Sequence, residues 1–365
     1  MPNIEPRALL RKISPYIPGK SIESVRREFG LKNVIKLASN ENPLGASPRA
    51  ISVYRKSSKD CFLYPEGASP ELRKALARLH QAPEDSVLIG NGSDEIIRLL
   101  CEAFLDEEHE ALTSQYAFIR FRQQSLLMGA RIIEVPMKNW KLDLEAMAGA
   151  LSERTRLVFI PNPNNPTGTY NSQKELEKFI ARLPPKVILI LDEAYYHYAR
   201  LEKNYPNSIP LWAPRLPNVA VLRTFSKAYG LAGLRVGYVV TNPEIVGWLD
   251  RIRMPFNVSL PAQRACIAAI QDHRFVSKGV SLNLKEKIFL EKSLVHFGFE
   301  IIPSACNFVF AKSPILGKEL FQKLLKNGII IRPLDEYGLS SYVRISIGRR
   351  SDHLKLIKVL ESILK

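Results

Sequence analysis

Beyond Val87 the chain alternates between short, wholly apolar runs and longer stretches whose apolar residues recur at helical spacing. Residues 87–89, 131–135, 156–160, 186–191, 219–222 and 235–240 read as strands. Helical periodicity marks 93–105, 143–151 and 174–182 between them. Strands that are apolar throughout are buried on both faces, so the alternation predicts a mostly parallel sheet with helices on each side. Ligands of such open sheets bind beyond the carboxyl ends of the strands. Before residue 58 the chain is irregular and rich in Pro, Ser and Asn, with SPYIPGKS at 14–21 and SNENPLG at 39–45. That segment predicts an arm draped over other elements. After Asn257, long helical stretches lead to β-like runs at 308–311, 329–332 and 342–347. A final helix carries Leu356, Val359, Leu360 and Ile363 on one face. The expected fold class is α/β, organised as an arm at 1–58 packing with the small domain, a large domain at 59–257 and a smaller α+β domain at 258–365.

Composition narrows the class of protein. No apolar run approaches the ~20 residues of a membrane span, and MPNIEPRALLRK lacks the apolar core of a secretory signal. A cytoplasmic protein with no membrane partner is the expectation. Cys61, Cys101, Cys266 and Cys306 lie far apart, without a CxxC pair or metal-ligand spacing, so reduced thiols and no metal are expected. The 52 Lys and Arg against 36 Asp and Glu leave a net charge of +16. These basic residues are spread along the whole chain, not gathered into a block interleaved with aromatics. They predict a generally basic surface that favours anionic small molecules, and no nucleic acid.

Four motifs stand at strand ends. GNGSDE, at 90–95, follows a strand and opens a helix. Its glycines let backbone approach a ligand, and the helix N-terminus offers free N–H groups to an anion. PNPNNPTG, at 161–168, is a loop stiffened by three prolines that presents Asn164 and Asn165. LDEAY, at 191–195, delivers Asp192 to a carboxyl edge, where burial is costly unless a cation meets the carboxylate. In TFSKAYGLAGLRVGY, at 224–238, Lys227 sits among small and hydroxyl-bearing residues with Arg235 close by. A lysine sheltered from water beside another cation loses its proton readily and becomes a nucleophile toward an aldehyde.

Taken in order, GNGSDE, PNPNNPTG, LDEAY and SKAYGLAGLR resemble the fold type I aminotransferases that depend on pyridoxal 5'-phosphate (PLP), and the resemblance runs nearly the whole chain. SNENPLG, YPEG at 64–67 and IIIRPLDEYGLSSYVRISIG at 329–348 resemble the histidinol-phosphate aminotransferase branch. The resemblance implies PLP as cofactor and a role for each matching residue. Lys227 would bond the cofactor aldehyde and move the proton at the substrate α-carbon. Asp192 would keep the pyridine nitrogen protonated. Asn165 and Tyr195 would hydrogen-bond the ring oxygen, and Tyr116 would stack on the ring face. Gly92, Ser93, Asp94, Thr224, Ser226 and Arg235 would hold the cofactor phosphate. Tyr64 would reach that phosphate from the second subunit of a homodimer. One departure is that this branch carries another aromatic three residues after the stacking ring, where TSQYAFIRF has Ile119.

The same resemblance implies that Arg332, Arg344 and Tyr16 clasp a substrate phosphate and that Asn40 meets the imidazole end of histidinol phosphate. Two guanidinium forks suit a dianion. The implied reaction is transamination between histidinol phosphate and 2-oxoglutarate in histidine biosynthesis. Two alternatives stay open within the PLP class: an aromatic amino acid aminotransferase, with Arg344 on a carboxylate, and a threonine-phosphate decarboxylase.

Overall fold

The computed structural model describes residues 5–13, 15 and 19–364. The first strand, β1 (Ile35–Lys36), belongs to the N-terminal segment. Seven strands then build the large sheet: β2 (Val87–Gly90), β3 (Glu110–Ser114), β4 (Arg131–Val135), β5 (Thr155–Pro161), β6 (Ile188–Asp192), β7 (Val219–Thr224) and β8 (Gly237–Val240). Their order is β2-β8-β7-β6-β5-β3-β4. All run parallel except β8, which is antiparallel to both β2 and β7.

The apolar runs sort by parity, as the two-residue repeat of a strand demands. Val158, Ile160, Leu189, Leu191, Val219 and Val221 join one buried cluster. Leu157, Phe159, Ile188, Ile190, Ala220 and Leu222 join another on the opposite face. The helix Gly92–Phe104 covers the second face with Ile96, Ile97, Leu99 and Leu100.

Toward the C-terminus come β9 (Glu300–Ile302), β10 (Phe308–Lys312), β11 (Ile329–Ile330), β12 (Arg332–Leu334) and β13 (Leu339–Ser346). An antiparallel sheet of order β12-β13-β10-β9 packs against the helices His273–His296, Gly317–Lys326 and Arg350–Leu364 through Leu290, Leu324 and Leu356. The N-terminal segment reaches this region: β1 pairs in parallel with β11, and Val25 and Ala38 pack on Leu325 and Ile330.

Some expectations are corrected. The segment before residue 58 is not wholly irregular, because it forms the helices Ile22–Phe29 and Pro48–Ser57. Ser21 and Ser47 cap them, accepting from the N–H groups of Ser24 at 3.0 Å and Ala50 at 3.2 Å. The buried strand β3 was not anticipated: EALTS begins with a charge and lacks a run of β-branched residues. The last strand of the large sheet begins at Gly237, not Arg235, whose φ of +54° turns it out of the ladder.

Candidate active site

Parity at the carboxyl ends of the strands decides which polar side chains meet. Pro161 continues the Leu157–Phe159 face of β5, Asp192 the Ile188–Ile190 face of β6, and Thr224 the Ala220–Leu222 face of β7. All three line a cavity of about 480 Å³, together with Asn165, Tyr195 and Lys227.

Asp192 is buried, and its Oδ1 accepts from the N–H of Ala194 at 3.1 Å. Its carbonyl accepts from Asn162 N at 2.9 Å, which ties the PNPNNPTG loop to the strand end. Burial pushes the Asp192 carboxyl up to about 6, and the neighbouring Glu193 adds to the effect, while the Ala194 N–H and Lys227 oppose it. Lys227 Nζ donates to the carbonyl of Ser39 at 3.2 Å and lies 5.6 Å from the centre of the Tyr195 ring. Burial brings the Lys227 ammonium down to about 8. The Arg344 and Arg235 charges help, and Glu41 works against them. Acid and base are both pushed toward neutrality, the signature of charges awaiting partners in a dry site.

Beside them lies an anion cradle. The N-terminus of the helix Gly92–Phe104 has no side-chain cap, so its first N–H groups stay available. Gly92 has φ +77°, and a Cβ there would come 2.7 Å from Arg235 Nη2. A Cβ on Gly237 would come 2.3 Å from Ser93 N. Arg235 Nη1 donates to Ser226 Oγ at 3.3 Å, and Thr224 Oγ1 lies 3.0 Å from the same hydroxyl. Ser93, Asp94, Ser226 and Arg235 all line the cavity. So does Arg120, which sequence reasoning missed and which holds Asp94 Oδ1 at 2.8 Å.

The remaining residues converge from the small sheet and the N-terminal segment. Asn40 Nδ2 donates to Tyr195 OH at 2.9 Å, and Asn40 Oδ1 accepts from Ser346 Oγ at 2.9 Å. Burial pushes the Tyr195 phenol above its ordinary value. Arg344 donates from Nη1 to Asn165 Oδ1 and from Nη2 to the Ala38 carbonyl at 2.7 Å, while its Nε is buried without a partner. Arg332 faces Arg344 in register across β12 and β13 and is ion-paired with Glu336 at 2.6 Å. Tyr64 stands outside the cavity, 82% exposed, with its ring 4.7 Å from that of Phe256. Tyr16 lies outside the described residues.

The structure places Tyr116 outside the lining of this cavity. Tyr116, at φ +57°, turns its ring toward Trp140 and does not line the cavity; Phe118 does. The helix that follows starts at Ile119, which makes Phe118 its N-cap residue and the last ring held at the strand-to-helix bend. Counted from Phe118, the aromatic three residues on is Phe121, buried with its ring 5.8 Å from that of Phe118. The F-x-x-F spacing was the signal that could have placed the motif two residues later.

The family model "Aminotransferase class I and II" matches residues 32–360. A histidinol-phosphate aminotransferase from Moorella thermoacetica is 44% identical over 358 residues, covering 98% of this chain and 92% of that protein. One from Anaeromyxobacter sp. is 43% identical and covers 100% of both. The crystal structure of the Sinorhizobium meliloti histidinol-phosphate aminotransferase in complex with pyridoxal-5'-phosphate superposes with a TM-score of 0.88 at 26% identity, over 100% of this chain and 99% of that one.

Proposed function

The chain belongs to the class I and II aminotransferases, and from that premise we propose that it transfers the amino group of histidinol phosphate to 2-oxoglutarate, with PLP as cofactor, in histidine biosynthesis. One observation carries the chemistry. A partly buried lysine and a buried carboxylate, each displaced toward its neutral form, share one cavity with an anion cradle. The residues present fit that cofactor. Asp192 needs a buried cation, Lys227 supplies an amine, and the cradle around Arg235 needs an anion. When bound, PLP supplies the electron sink for the bond broken at the substrate α-carbon.

Lys227, its ammonium brought down to about 8, acts through its deprotonated fraction as nucleophile and then moves the proton at the α-carbon. Asp192 keeps a proton on the ring nitrogen. Asn165 and Tyr195 hydrogen-bond the ring oxygen, each oriented by a second contact, to Arg344 and Asn40 respectively. Phe118 packs on the ring face. The Gly92, Ser93 and Asp94 backbone, with Thr224, Ser226 and Arg235, binds the phosphate.

For the substrate, Arg332, Arg344 and Tyr16 form the phosphate clamp, and the unpartnered Nε of Arg344 is a buried donor suited to an anion. Asn40 keeps one N–H and one lone pair for the imidazole. The site belongs to a homodimer in which Tyr64 completes the partner's cradle. Support comes from its own exposure against Phe256, 45% exposed with its ring 4.7 Å away, apolar surface suited to a second copy. Four free cysteines suit the cytoplasm.

The test is an amine-donor screen with histidinol phosphate, phenylalanine, tyrosine, aspartate and phosphothreonine, repeated in Arg332→Ala. Loss of one charge-assisted contact to a desolvated dianion should lower kcat/KM for histidinol phosphate by about ten- to a hundredfold and leave phenylalanine far less affected. Equal losses would make Arg332 a structural residue. Strong activity on phenylalanine without histidinol phosphate, or carbon dioxide release from phosphothreonine, would replace the substrate reading while leaving the PLP chemistry in place.

A further inference from the structure

Ser346 ends β13 two residues beyond Arg344, so the two side chains share one face of the strand. Its hydroxyl oxygen accepts from the backbone N–H of Asn40 at 2.8 Å and donates its one proton to Asn40 Oδ1 at 2.9 Å. Asn307 Nδ2 donates to the Asn40 carbonyl at 2.9 Å, so the backbone of Asn40, at φ +56°, is held on both sides. Asn40 Nδ2 then donates to Tyr195 OH at 2.9 Å. Asn40, Tyr195 and Ser346 are all buried, so water is not at hand to replace a lost partner.

The direction of this relay follows from counting protons. Turning the Asn40 amide over would set its NH2 group against Ser346 Oγ, which already accepts from Asn40 N–H, and would leave the serine proton without that acceptor. It would also set Oδ1 against Tyr195 OH and draw the phenol proton toward Asn40. With the amide as it stands, the phenol oxygen accepts from Asn40, and its own proton is free to be donated into the cavity that Tyr195 lines. Burial holds the phenol above its ordinary value, so that proton is kept. We propose that Ser346 is a positioning residue: it fixes the polarity of the Asn40 amide and thereby makes Tyr195 a donor to the cofactor ring oxygen. The inference rests on the cofactor reading proposed above, with Tyr195 beside that oxygen. A donor there favours the anionic oxygen, so the proton shared between the ring oxygen and the Lys227 nitrogen leaves at a lower pH.

The experiment titrates the visible absorbance of the PLP-loaded enzyme against pH in wild type, Ser346→Ala, Tyr195→Phe and the double variant. The groups that act on Lys227, namely Arg344, Glu41, Arg235 and Cys306, are the same in all four. In Ser346→Ala the midpoint should rise by about half to one pH unit, the effect of losing roughly one neutral hydrogen bond. Tyr195→Phe should raise it at least as far, and in that background Ser346→Ala should add nothing. Ser346→Cys, which keeps the side-chain shape but donates weakly, should shift the midpoint the same way and carries the test if the alanine variant does not fold. A wild-type midpoint in the Ser346 variants beside a raised one in Tyr195→Phe overturns the proposal and leaves the cofactor reading intact. The same shift from Ser346→Ala with and without the Tyr195 hydroxyl also overturns it, because a general loosening of the small sheet needs no phenol. A midpoint unmoved in Tyr195→Phe places Tyr195 away from the ring oxygen, and the reading beneath the proposal falls with it.

Discussion

Replacing Asp192 by Asn should stabilise the cofactor-free protein while weakening its hold on PLP. Asp192 is buried at the end of β6, and its carboxyl is raised from 3.8 to about 6, with burial the largest cause. That displacement of about two pH units corresponds to about 3 kcal/mol, at 1.36 kcal/mol per unit. The sign follows from proton binding: the folded state holds a proton that the unfolded chain releases more easily. Folding is therefore unpenalised below about pH 4, loses stability as pH rises through the interval from 3.8 to 6, and carries the full penalty above it. Asn is nearly isosteric, and its carbonyl oxygen can still accept from Ala194 N–H. The assay is urea unfolding of cofactor-free wild type and Asp192→Asn at pH 4 and pH 7.5, at one protein concentration because association shifts midpoints. The variant should gain up to ~3 kcal/mol at pH 7.5 and little at pH 4. With PLP bound the order should reverse, because the amide cannot balance a ring cation. A variant less stable than wild type at pH 7.5, or one equally stabilised at both pH values, would refute the assignment of the cost to a buried charge.

Phe118→Ala should weaken PLP binding about tenfold, seen by titrating the cofactor-free protein, whereas Tyr116→Ala should have much less effect; the opposite ranking would restore Tyr116 as the stacking residue. Gly237→Ala should cost about 1–3 kcal/mol in unfolding experiments and loosen PLP, because its Cβ would lie 2.3 Å from Ser93 N and 2.6 Å from the Gly92 carbonyl carbon. Mixing inactive Tyr64→Phe with inactive Lys227→Ala, with subunit exchange demonstrated, should restore activity through hybrid dimers carrying one intact site; activity no greater than the sum of the separate variants would place Tyr64 outside its partner's site.

The strands that carry the site were legible because each is apolar on both faces and ends in a polar residue. KVILILD and AVLRT declare both the strand and the side chain it delivers. What lay hidden depends on contacts distant in sequence. β3 is buried only because β4 and β5 flank it, so EALTS carries no signal of its own. The partners of Asn40, at Tyr195 and Ser346, are 155 and 306 residues away. Arg332 could be read as a clamp from its place in the sequence, but not that Glu336, four residues on, already holds it. Phe118, in place of Tyr116, lines the cavity for a different reason. Two aromatic spacings compete in QYAFIRF, and only the bend before the helix at Ile119 decides which ring faces the cavity.

The charges around the cavity explain why this arrangement is open to ligands and not merely strained. Lys227, Arg235, Arg344 and Arg120 bring four cationic groups to the site, against Asp192 and Asp94. Arg120 and Asp94 satisfy each other at 2.8 Å, which leaves Lys227, Arg235 and Arg344 against Asp192 and Glu41. Burial is the main reason the Lys227 ammonium falls to about 8, and the Arg344 and Arg235 charges add to it, so a fraction of free amine is present near neutral pH. An anionic phosphate in the cradle would relieve the repulsion between Arg235 and Lys227, and a cation beside Asp192 would relieve the buried carboxylate. Each relief would add to the binding energy of a ligand negative at one end and positive at the other. The net charge of +16 extends the same preference outward, drawing anionic donors and acceptors toward the cleft.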